Sequence, residues 1–424
     1  MKPIVLAPSA EGLYIHSDRF KTGHISVNLF LPLVAGQVSA TALLPFLLRR
    51  ACAPYPTMQA LGRRLDGLYG AELSCEADKI GDVQVLRLTL SFIEDRFALN
   101  HEPIAAECAE LLCSLLFEPL AQNGAFDQKL FDTEQRLFIE LVQSEINNKR
   151  GYAINQLCRR MCAEEPFGLP KYGTPEEARA LTPKQVYAAY LHAIKTAYIR
   201  VNVVGAAAPD AVFDRFAARL KNVERSEVTV PQSQPTAQSE PLEFTEPMAI
   251  TQGKLVMGFT VDFPEQFAAA AIMADVFGGG PYSRLFNYVR EKLSLCYYCA
   301  CRPSRRKGLL LVDSGVDLQN VERARAEILR QLDVMKDGGF TDEELNASRQ
   351  SYRNLLLSAL DSQPTIDRYY ADRVFDTSPP TIDEFADAVM TVTREQVIAV
   401  AGSVQLKAVY LLEPTGAAGE ESDD

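Results

Sequence analysis

FGGGPYSRLFNYVREKLSLCYY, residues 277 to 298, joins a glycine turn, an apolar-faced helix and the start of an aromatic strand. Gly278, Gly279 and Gly280 can reach φ > 0 at no steric cost, and Pro281 can occupy the first turn of a following helix. Leu285, Tyr288 and Val289, spaced by three and four, predict one apolar helix face. Arg290 and Tyr297 follow seven residues apart, with Tyr297 already on the strand. A guanidinium fork and a phenol held near each other can grip a peptide backbone.

The helix-into-strand pattern occurs a second time, in RRLDGLYGAELS from residue 63. Two other matches appear in the same order along the chain. GAFDQKLF at 124 corresponds to GGFTDEEL at 338, each opening a long helix, and LTPKQV at 181 corresponds to VTREQV at 392. The last two carry Thr-x-x-Gln capping boxes, Thr182 with Gln185 and Thr393 with Gln396. Three ordered matches predict a duplicated α+β domain, each half a largely antiparallel sheet with helices packed on one face.

Strand patterns at GLYIHSDRF, HISVNLFLPL, LYGAELSCEA, DVQVLRLTLSF and AYIRVNVVGA, interleaved with helices, complete the first half. Residues 223–247, with Pro231, Pro235, Pro241 and Pro247 among Ser, Gln, Thr and Glu, are expected to be a linker. The division is therefore 1–222, linker 223–247, 248–414, and an acidic tail 415–424 expected to be disordered.

A net charge of −12, from 43 basic and 55 acidic residues, argues against nucleic-acid or anionic-membrane partners. MKPIVLAPSAEGLYI lacks the apolar core of an export signal, so a cytoplasmic location is expected. The nine cysteines lie in apolar segments and are expected to be reduced thiols. Cys296, Cys299 and Cys301 contain one C-x-x-C with no second pair to complete a zinc site. RPSRRKG at 302 reads as a solvated hairpin tip, and the glycine turn lacks the Lys-Ser/Thr of a phosphate cradle.

The duplication, QGKLVMGF at 252, the GGG and SRLF turn-helix, Arg290 with Tyr297, and the GGF-initiated helix resemble the M16 family of inverted zinc peptidases over nearly the whole chain. The resemblance implies a clamshell of two halves that holds an extended peptide. One half would carry zinc on an H-x-x-E-H helix, and an Arg/Tyr pair of the other would contact substrate near the scissile bond. Two His at i and i+4 share a helix face, and the Glu between activates metal-bound water.

Here the corresponding segment is ATALLPFLL, with Ala42, Pro45 and Phe46 where His, Glu and His would stand. Glu134 and Glu140 match the region of the third ligand and read as ordinary helix residues. His16, His24, His101 and His192 offer no pair at helical spacing. No cofactor is expected, and no activity from the chain alone.

The resemblance extends to the YmfF-type branch, whose members pair with a zinc-motif YmfH-type chain and are associated with modification of elongation factor P. It implies a non-catalytic subunit of a heterodimeric peptidase, with Arg290, Tyr297, Gly279 and Gly280 on the substrate side. A homodimer of the chain alone and a stand-alone peptide-binding scaffold are the other arrangements it allows. The glycines are assigned because related mitochondrial processing peptidase subunits carry a glycine-rich loop in a similar place.

Overall fold

Thr57, Asp127, Thr182, Thr341 and Thr393 each accept a backbone N–H at the start of a helix, which sets where those five helices begin. The computed structural model describes residues 2–206, 209–228, 240–262 and 267–415. The chain divides into two compact units. The first comprises Met1–Ser144, Leu169–Pro231 and Leu360–Pro379; the second comprises Glu145–Gly168, Gln232–Ala359 and Pro380–Asp424.

The first unit contains β1 (Ile4–Ala7), β2 (Ala10–His16), β3 (Thr22–Pro32), β4 (Glu72–Ile80) and β5 (Val83–Ile93). A short hairpin of β6 (Ala121–Gln122) and β7 (Ala125–Phe126) and a last strand, β8 (Tyr198–Gly205), complete its strands. Its main sheet has the order β1-β2-β8-β3-β5-β4, antiparallel except where β2 meets β8. The second unit contains β9 (Leu242–Met248), β10 (Gly253–Thr260), β11 (Cys296–Ser304), β12 (Leu309–Val316) and β13 (Gln405–Pro414), in the order β11-β12-β10-β13-β9. It too is antiparallel except for one pair, β13 with β9. Reading β9, β10, β11, β12 and β13 as counterparts of β2, β3, β4, β5 and β8 makes the two strand orders the same apart from the extra edge strand β1, so the duplication is a repeat of topology.

Alternation on β3 explains the layering. Ile25, Val27, Leu29 and Leu31 belong to the apolar core with Cys108, Leu112 and Leu115 of the helix Ile104–Phe117. The opposite face presents His24, Ser26 and Asn28, all buried. Their cover is the helix Gln363–Ala371, supplied from the second half of the sequence. Reciprocally, the helix Lys149–Met161 belongs to the second unit, where Ala153, Leu157 and Met161 pack with Val256, Ala408 and Tyr410. Each sheet therefore carries a helix on its second face as well.

The expected linker differs in part. Leu242–Met248 is strand β9, and Pro247 is tolerated because β9 is an edge strand paired with β13 alone. Residues 229–239 of that segment and 416–424 of the expected tail lie outside the described residues. Nor is RPSRRKG simply solvated: Lys307 is buried and paired with Glu165. No described helix is long and apolar enough to cross a membrane.

Candidate functional site

The helix after the glycine turn is not an α-helix. Residues Leu285–Lys292 form a π-helix, a form rare enough to be associated with functional sites. Leu285 and Val289 are fully buried beneath it. Ser294, in the left-handed region at φ 49°, ends the turn, and the Leu295 N–H donates to the Val289 carbonyl at 3.0 Å.

A β-bulge follows immediately. On β11, Cys296 pairs with Val316, Tyr298 with Gly315 and Cys299 with Ser314, which leaves Tyr297 as the extra residue. Bulges re-aim side chains, and Tyr297 is 61% exposed, whereas Tyr298 is tucked against Gly315. Tyr298 also lies under the Arg150 guanidinium, 4.4 Å from its ring centre, and burial pushes its phenol up to about 12. Of two adjacent tyrosines, one is structural and one free.

The π-helix and the bulge bring Arg290 and Tyr297 together. Both line an open hollow of about 400 Å³ with Glu291, Ser294, Leu295, Cys296 and Asp317. The Arg290 guanidinium lies over the Phe286 ring at 4.6 Å, and its one charged neighbour within 4 Å among the described residues is Glu291, at 3.6 Å. That separation is too long for a hydrogen bond, and both side chains are more than a third exposed, so the pair holds the guanidinium weakly. Arg290 and Tyr297 thus share the lining of one open recess.

Gly279 and Gly280 are not among the residues lining this hollow. Gly279 closes the helix Ala268–Gly278, and a Cβ there would stand 2.0 Å from Asp275 Oδ1. A Cβ on Gly280 would meet the Tyr282 ring at 2.8 Å, and Tyr282 itself donates to Asp275 Oδ2 at 2.8 Å. Close internal packing accounts for both glycines.

The segment matching the zinc helix is closed. Val38–Ala42 and Leu44–Leu48 are two short helical pieces meeting at Leu43, the break expected of Pro45, which has no N–H to continue the ladder. Ala42 and Pro45 are buried. Phe46 packs on Phe138 at 5.7 Å and on Tyr172 at 6.4 Å between ring centres.

Glu134 and Glu140 separate sharply. Glu140 is exposed and pairs with Arg136 on its own helix. Glu134 is buried, and the Arg50 guanidinium stands 2.7 Å from its carboxylate. Glu134 is therefore more than the ordinary helix residue expected. Burial raises its carboxyl above the usual range, and the charges of Arg50 and Arg49 offset this in part.

Ala42, Pro45 and Phe46 offer no donor, and a carboxylate already neutralised by arginine does not fit zinc. Among the described residues no group of three His, Cys, Asp or Glu is arranged to hold a metal. His16, His101 and His192 are exposed, and His101 sits in the left-handed region at φ 56°. His24 is interior: its Nδ1 lies 2.9 Å from Ser91 Oγ and its Nε2 3.7 Å from Asp367 Oδ2.

Comparison with known proteins agrees with this geometry. Residues 180–352 match the family described as peptidase M16 inactive domain. The chain is 28% identical over 404 residues, 95% of each sequence, to the probable inactive metalloprotease YmfF of Bacillus subtilis (strain 168). A conserved protein from Enterococcus faecalis V583 shares its fold with a TM-score of 0.91 at 23% identity, over 99% of both chains. The peptidase M16 inactive domain from Pseudomonas fluorescens does so with a TM-score of 0.79 at 17% identity, over 99% of both chains.

Proposed function

We propose that this chain, an M16-like protein of the inactive kind, is the non-catalytic subunit of a two-chain zinc peptidase and presents Arg290 and Tyr297 to an extended peptide. The observation that carries the reading is their convergence on one open hollow, each with its donors uncommitted. In this role the Arg290 fork donates to a backbone carbonyl of the bound peptide, while the Tyr297 O–H donates to the oxygen that gains charge as the scissile carbonyl is attacked. The attacking water and its metal belong to the partner chain, because the positions Ala42, Pro45 and Phe46 supply no ligand or base.

A zinc-motif M16 chain is the partner to test, with peptide cleavage as the readout. Cleavage is expected only in the mixture, and Arg290→Ala or Tyr297→Ala should lower kcat/KM by about 10²-fold. Equal activity of both variants and wild type defeats the assignment.

The second reading, a peptide-binding scaffold without a protease, is favoured by the closed packing around Phe46 and Glu134, which leaves the chain no metal chemistry of its own. It expects the same dependence of peptide affinity on Arg290 and Tyr297, with no cleavage in any mixture. The link of the YmfF-type branch to elongation factor P makes peptides from that modification route a first substrate set under either reading.

A further inference from the structure

The bulge at Tyr297 has an effect on the two cysteines that flank it. In a regular strand, residues three apart point to opposite faces. With Tyr297 as the extra residue, Cys296 and Cys299 oppose Val316 and Ser314, two positions apart on β12, and so fall on the same face. Their thiols are within hydrogen-bonding reach of each other. Their surroundings differ. Cys296 lines the open hollow beside Arg290, whereas Cys299 is only 6% exposed.

We infer that Cys296 and Cys299 form a reversible dithiol/disulfide couple, in which Cys296 is the attacking thiol and Cys299 the resolving one, with a low-molecular-weight disulfide such as glutathione disulfide as oxidant. The Cys296 thiol loses its proton to solvent, and the thiolate attacks one sulfur of the oxidant. A new S–S bond forms as the old one breaks, and one glutathione leaves as its thiolate. Cys299 then loses its proton and attacks the Cys296 sulfur, expelling the second glutathione. Two protein thiols are oxidised and one glutathione disulfide is reduced to two thiols.

The division of roles follows from the electrostatics. The Cys296 thiol is held below its ordinary range by the hydrogen bond from Cys299, and further by Ser314 and the positive charge of Arg290, against the opposing effect of burial. Cys299 is raised by its bond to Cys296 and by burial. An accessible thiol of lowered pKa beside a buried one of raised pKa is the pattern of attacking and resolving cysteines. Cys301 is no equal competitor, because burial raises its thiol and it does not line the hollow. Cys52 and Cys75, pushed up by burial to about 11, serve as internal controls. The disulfide would brace the bulge that carries Tyr297, which ties the redox state to the placement of that side chain.

The test uses the full chain in buffers of oxidised and reduced glutathione, followed by alkylation and peptide mass mapping. Trypsin leaves Cys296, Cys299 and Cys301 together in the peptide Leu293–Arg305, since Arg302 precedes proline. Wild type and Cys301→Ser should lose two hydrogens from this peptide, and Cys296→Ser and Cys299→Ser should not. Cys299→Ser should instead accumulate glutathione on Cys296. Iodoacetamide should label Cys296 of the reduced wild type at least about ten-fold faster than Cys52 or Cys75. A peptide that stays fully reduced, a disulfide between Cys299 and Cys301, or labelling of Cys296 no faster than of Cys75 overturns the inference. The wild-type mass and labelling rates decide the matter even if a serine variant folds poorly.

Discussion

The wall around Phe46 in the first unit and the hollow around Tyr297 in the second show two outcomes of one repeated topology. In the first, Ala42, Pro45 and Phe46 fill the helix with apolar side chains, and Arg50 neutralises Glu134 in the interior. In the second, a π-helix and a bulge project Arg290 and Tyr297 outward with little to hold them. Where the side chains offer no donor, the position is packed shut. An exposed, weakly paired Arg and Tyr contribute little to folding, so their placement by two irregular elements calls for a role outside stability.

The sharpest way to break this contrast is Arg50→Ala. It leaves the Glu134 carboxylate buried and unpaired, which should cost about 3–5 kcal/mol in urea denaturation. Replacing the pair together, Arg50→Met with Glu134→Leu, should cost less than about 1 kcal/mol. The pH dependence has a defined sign. The folded state holds the Glu134 proton more tightly than the unfolded chain, so its contribution is fully present below the unfolded pKa and is lost as pH rises through the raised folded value. Removing Arg50 widens that gap, and the deficit of Arg50→Ala should shrink between about pH 7 and about pH 5. A deficit independent of pH would mean that Glu134 is not the group responsible.

A smaller effect is expected at Gly315. A Cβ there would stand 2.5 Å from the Tyr298 ring and 2.6 Å from Gln252 Oε1, so Gly315→Ala must shift the Tyr298 ring beside the bulge, at a cost of about 1–3 kcal/mol. The same variant should weaken any function of Tyr297, although Tyr297 itself is unchanged. Smallest of all, Arg290→Ala and Tyr297→Ala should alter stability by no more than about 0.5 kcal/mol, because both residues are exposed and Arg290 has only a loose ion pair with Glu291. A loss near that of Arg50→Ala would erase the distinction between the two regions.

Much of this was legible in the sequence, for local reasons. The capping boxes at Thr182 and Thr393 and the long helices after residues 126 and 340 are short-range signals, and they revealed the duplication. The loss of metal donors at Ala42, Pro45 and Phe46 could be read directly from residue types. What escaped depends on distant pairing. No local pattern indicates that helices Lys149–Met161 and Gln363–Ala371 are each built into the unit formed mainly by the other half of the sequence. The bulge is a matter of register against β12, and periodicity in Leu285, Tyr288 and Val289 suggested an α-helix where the chain forms a π-helix. Glu134 read as an ordinary helix residue and Lys307 as part of a solvated hairpin tip because their partners, Arg50 and Glu165, are remote in sequence. A buried charge is invisible until its counter-charge is located.

The central claim, that the open hollow of the second unit works on a peptide, rests most directly on the phenol of Tyr297. Tyr297→Phe keeps the ring, the bulge and the stability and removes one O–H donor. In a mixture with a zinc-motif M16 chain, the variant should lose about ten-fold or more in kcat while KM changes little, the signature of a donor needed in the transition state. Identical kcat for Tyr297→Phe and wild type in an active mixture would contradict the account.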